Sequence, residues 1–65
     1  MAKIINLGYT SSLDNKNIIL TGEEDELHNT EESAKAQAQL LADEDLSDDH
    51  IYIWEDAEDK WHVGW

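Results

Sequence analysis

Carboxylates are the most abundant residues in this sequence that could do chemistry: Glu23, Glu24, Asp25 and Glu26; Glu31 and Glu32; Asp43, Glu44 and Asp45; Asp48 and Asp49; Glu55, Asp56, Glu58 and Asp59. Two of them flanking a substrate could serve as general acid and base, but such a pair needs one carboxyl raised in pKa by an apolar cleft. A chain of 65 residues has one thin core and little room for such a cleft. These acids are therefore expected to form a solvated face, and the chain is not expected to be an enzyme.

Other chemistries find less support. There is no cysteine, no G-x-S-x-G turn, and no recognised Ser/His arrangement for a nucleophile and its base. Gly8, Gly22 and Gly64 are too far apart to cradle a phosphate. Asp43, Asp45 and Ser47 imitate the opening of an EF-hand loop, but Asp48 stands where its glycine belongs and Trp54 where its last glutamate belongs. His28, His50 and His62 lack the spacing of zinc ligands. No metal and no cofactor is expected.

The balance of charge is more informative. Sixteen acidic residues face four lysines and no arginine, for a net charge of -12. Residues 1–22 hold Lys3, Asp14 and Lys16 and are nearly neutral, so residues 23–65 carry the whole excess. Direct nucleic-acid binding draws its affinity from cations on phosphates, and this chain has too few. An anionic membrane surface is excluded as a partner on the same ground. No run is long and apolar enough to span a bilayer, and the start of the chain falls far short of a secretory signal, so a cytoplasmic protein is expected.

The apolar residues are patterned, which argues for a folded domain rather than an acidic tail. Ile4, Ile5, Leu7 and Tyr9 form a strand-like run with Ile5, Leu7 and Tyr9 on one face. Ser11 to Lys16 is turn material, and Asn17–Thr21 reads as a returning strand, so a first hairpin is expected. Glu31 to Ala42 has helix formers throughout, a cap at Asn29 or Thr30, and Ala34, Ala38 and Leu41 on one face. Asn29 and Glu32 have the spacing of a capping box. His50 to Trp54 and Lys60 to Trp65 alternate around a turn at 56–59, a second hairpin.

Pairing Glu55 with Lys60 would set Trp54 opposite Trp61, Tyr52 opposite Val63 and His50 opposite Trp65, leaving apolar groups on both faces. A loop of different length would change the register and gather the large groups inside. The fold class expected is α+β: one domain, β-β-α-β-β, with an antiparallel sheet of two hairpins and one helix packed on it.

The function expected is binding. Trp54, Trp61 and Trp65 either build the core of a protein without phenylalanine or form an aromatic hot spot beside an acidic rim. The acids of 23–32, 43–49 and 55–59 could stand in for nucleic-acid phosphates and occupy the basic groove of a nucleic-acid-binding protein. In size, acidity and mixed α/β character the chain is similar to phage-encoded DNA mimics that inhibit host enzymes. That resemblance implies a basic protein partner and, for a phage protein, the host cytoplasm, and it carries over no individual residue. The alternatives are an adaptor or antitoxin-like module that binds without resembling DNA, including a homodimer through an aromatic sheet face, and a halophile's generally acidic surface.

Overall fold

The computed structural model describes residues 3–10, 13–44 and 50–65. Among them are three strands, β1 (Lys3–Tyr9), β2 (His50–Glu55) and β3 (Trp61–Gly64), and one helix, α1 (Glu31–Asp43). The sheet order is β1-β2-β3. β1 runs parallel to β2, and β2 runs antiparallel to β3. The chain is thus α+β with a mixed sheet, and only the second of the two expected hairpins forms.

The first hairpin fails for a local reason. Leu13–Lys16 winds into a 3-10 turn. Asn17 then takes a left-handed conformation at φ 57. The Ile18 amide donates to the Leu13 carbonyl at 3.2 Å and the Asn17 amide to Asp14 at 3.1 Å. This is the bond pair of a Schellman stop, in which asparagine tolerates the left-handed cap position. The chain then reaches the far side of the sheet, where the Thr21 and Gly22 amides donate to Trp65 O at 2.6 and 3.0 Å. Residues 17–21, expected as a strand, carry no strand of their own.

Residues 21–28 instead run up the outer side of β3. The Trp65 amide donates to Gly22 O at 2.9 Å, Glu24 donates to Val63 O at 2.9 Å, and His28 and Trp61 exchange backbone bonds at 2.9 and 2.7 Å. Isolated bridges Glu23↔Gly64 and His28↔Trp61 mark the contact. Five residues advance on this segment while β3 advances three, so Asp25, Glu26 and Leu27 bulge outward. With β1 paired to the middle strand, the link through α1 becomes a parallel crossover, which a helix of this length can bridge.

α1 starts where its sequence says. The Thr30 hydroxyl accepts from the Ser33 amide at 3.1 Å, and Glu31 and Glu32 lie in the first turn, where the helix dipole favours anions. Thr30 as cap places Ser33 at the third position, so the Asn29–Glu32 box is not the one used. Ala34, Ala38, Leu41 and Ala42 are buried. Small side chains let the helix lie close over Ile51, Ile53 and Val63, with Ile4, Trp61 and Trp65 at the margin of that core. Burying each of the three large aliphatics is worth roughly 1.5–3 kcal/mol.

The second hairpin settles the register. Asp56 N donates to Lys60 O at 2.9 Å, Asp59 N to Asp56 O at 3.3 Å, and Asp59 sits at φ 62. The connection is therefore Ala57-Glu58-Asp59, one residue shorter than the 56–59 turn expected. Glu55 pairs with Trp61, Trp54 with His62, Ile53 with Val63 and Tyr52 with Gly64. This shift sorts Ile51, Ile53, Val63, Trp61 and Trp65 toward the helix and Tyr52, Trp54 and His62 to the other face.

That second face is not bare. A methyl group on Gly64 would meet Leu20 Cδ1 at 2.8 Å and the Trp54 ring at 3.0 Å, so residue 20 crosses over Trp54 at close range. Trp54 is 6% exposed. Tyr9, expected beside Ile5 and Leu7, is 61% exposed. Gly8 at φ 67 introduces a register shift between Asn6 and Tyr9, and the extra residue turns Tyr9 outward. No helix among the described residues is long and apolar enough to cross a membrane.

Candidate partner-binding surface

The fold gathers two of the three acidic stretches. β1 ends, β2 ends and β3 begins at one end of the sheet, where Tyr9 pairs with Glu55 and Glu55 with Trp61. The bridge His28↔Trp61 brings the start of α1 to the same end. Glu55, Asp56, Glu58 and Asp59 on the hairpin turn thus lie beside Glu31 and Glu32 on the helix. Glu23, Glu24, Asp25 and Glu26 line the adjoining edge outside β3. Ten carboxylates share one end and one edge of the sheet.

Specific bonds hold them there. Asp56 Oδ1 accepts from the Glu58 and Lys60 amides at 2.8 and 3.1 Å, which shapes the turn. Gln37 Nε2 on the helix donates to Glu24 Oε1 at 2.7 Å, and Lys60 Nζ donates to Asn29 Oδ1. Asn6 Nδ2 donates to Glu31 Oε1.

His62 joins the two stretches. Its Nδ1 lies 3.1 Å from Glu23 Oε1 and its Nε2 lies 2.6 Å from Asp56 Oδ2. Ionised carboxylates only accept, so both contacts are hydrogen bonds at once when both ring nitrogens carry protons. The bond from His62, with those from the Lys60 and Glu58 amides, holds the Asp56 carboxyl below its ordinary value of 3.8, although burial opposes them. Glu23 and Asp56 occupy opposite nitrogens of one ring, so the three cannot converge on a metal ion. Among the described residues no group of three His, Asp or Glu side chains does so.

The described part of the third acidic stretch lies elsewhere. Asp43 and Glu44 stand at the far end of α1, about 20 Å from its first turn at 1.5 Å per residue. Asp45, Asp48 and Asp49 lie outside the described residues, as does Ser47 of the EF-hand-like run. Among the described residues, the surface expected from three segments draws on two.

The tryptophans pack. Trp54 is buried, whereas Trp61 and Trp65 are half-buried against the core. The Trp65 indole lies so close to Gly22 that a side chain there would overlap it. What each could still offer a partner is the exposed part of Trp61 and Trp65 beside Glu23 to Glu26.

His62, which the sequence marks only as lacking the spacing of a zinc ligand, is the link between two acidic stretches. The available signal was Asp56, whose short side chain readily bonds amides two residues on and so shortens the turn. His28 is a further surprise: it is buried, with Ser33 Oγ 2.8 Å from Nδ1 and no partner at Nε2 among the described residues. Comparison with known proteins finds no match for this chain among family models, curated proteins or solved structures.

Proposed function

We propose that this chain is a cytoplasmic, protein-binding inhibitor whose carboxylates take the place of nucleic-acid phosphates in the basic groove of a nucleic-acid-binding protein. The observation that carries the reading is the convergence of Glu23 to Glu32 and Glu55 to Asp59 on one end and edge of a hydrogen-bonded scaffold. A fixed scaffold matters because its charges need not be ordered at the moment of binding. The longest extent of the molecule is 29 Å. Over that length a duplex carries about 17 charges. Ten grouped carboxylates are of the same order.

The surface would steer a basic partner at a fast, salt-sensitive rate. The experiment is capture of basic proteins from a bacterial lysate on the immobilised chain, with and without competing duplex DNA. The reading expects captured nucleic-acid-binding proteins that DNA and salt both release. It also expects loss of capture in the triple variant Glu26→Gln, Glu58→Gln, Asp59→Asn and retention in the variant Asp43→Asn, Glu44→Gln. Capture that resists salt and DNA, yet fails on Trp65→Ala, would replace the mimic with an aromatic-anchored adaptor.

A further inference from the structure

The segment outside β3 is fastened at two places with a bulge between them. At one, the Glu24 amide donates to Val63 O at 2.9 Å and the Glu24 carboxylate accepts from Gln37 at 2.7 Å. At the other, His28 exchanges backbone bonds with Trp61 at 2.9 and 2.7 Å. Asp25, Glu26 and Leu27 in between are exposed and make no hydrogen bond among the described residues. Where the Asp25 and Glu26 carboxylates stand is therefore decided by the two anchors.

His28 is an anchor of unusual build. It is 7% exposed although it follows directly on the bulge, and its Nδ1 lies 2.8 Å from Ser33 Oγ in the first turn of α1. Its Nε2 has no partner among the described residues. A buried ring nitrogen left unpaired costs stability, so packing alone would be better served by an apolar side chain. What the imidazole adds is the bond to Ser33, which ties the bulge to the helical turn that carries Glu31 and Glu32.

We propose that His28 and Ser33 are the positioning pair that holds Asp25 and Glu26 at a fixed place relative to Glu31 and Glu32 for the basic partner. The inference rests on the phosphate-mimic reading above. Carboxylates already held in place need not be ordered when the partner arrives, so the pair acts on affinity without altering charge.

The test is binding of a fluorescent lysine decamer to the full chain. Ser33→Ala is the primary variant, because the helix cap uses the Ser33 amide and survives the change. It should weaken binding about fivefold in Kd with an unchanged circular dichroism spectrum. His28→Leu should weaken binding equally, and the double variant no further. In a chain already carrying Asp25→Asn and Glu26→Gln, Ser33→Ala should change affinity by less than about twofold, since nothing is left to position; a merely structural role would give the same loss in both backgrounds. Ser33→Ala binding as tightly as the native chain, or a full loss that persists in the neutralised background, would overturn the proposal alone. A native chain that ignores the peptide would overturn the mimic reading and this inference with it.

Discussion

His62 lies flat against Trp54, with ring centroids 5.2 Å apart and planes 6° from parallel. The two are cross-strand partners of β2 and β3. The stack holds the imidazole edge-on to Glu23 and Asp56, so one side chain couples the sheet's second face to both acidic stretches. His62→Ala removes the stack and both carboxylate bonds. It should lower stability by about 1–2 kcal/mol, read by chemical denaturation. The same variant should increase hydrogen exchange at residues 23–26 and 56–60, which His62→Gln restores only in part.

Asp56 makes the fold's acid sensitivity specific. Its folded pKa lies below the ordinary value, so its contribution is fully present above that value and is lost as pH falls through the folded one. Protonating the other carboxylates relieves the repulsion of a net charge of -12 and works the other way. The measurement is therefore the difference in melting temperature between the native chain and Asp56→Asn as pH falls from 7 to about 2. That gap should be widest at pH 7 and narrow at acid pH. A constant gap would remove Asp56 from the account.

Gly64 has no room for a side chain. A methyl group would stand 2.8 Å from Leu20 Cδ1 and 3.0 to 3.1 Å from the Trp54 ring. Gly64→Ala should cost about 1–3 kcal/mol. It should also shift Trp54 fluorescence toward that of exposed indole, because the ring or the 18–20 crossing must give way.

Asn17 ends the 3-10 turn in a left-handed conformation. Asn17→Gly should be neutral or slightly stabilising. Asn17→Val should cost about 1–2 kcal/mol, since a β-branched residue is strained there. Equal melting of the two variants would mean that the turn does not depend on this cap.

Much of this architecture is legible before folding. β1, α1 and the β2–β3 hairpin are written in local patterns: alternation at Ile5 and Leu7, the Thr30 cap, and the Ala34–Ala38–Leu41 stripe. The register was not legible, because Asp56 changes the loop by a single residue, and one residue exchanges the faces of a strand. Nor was the fate of Ile18, Ile19 and Leu20. A short apolar run reads as a strand wherever it lies, and its partner depends on which edge the preceding turn points it toward.

By itself, then, the sequence determined composition and local structure: a net charge of -12, a polyanionic segment after Gly22, one helix and one C-terminal hairpin. Tertiary structure alone decided that β1 pairs with β2 in parallel, that residues 21–28 line β3, and that His62 ties Glu23 to Asp56. The division has a physical cause. Helix caps and alternation act within a few residues, whereas Glu23 and His62 are 39 positions apart and meet only after the whole chain has chosen which sheet edge to cover.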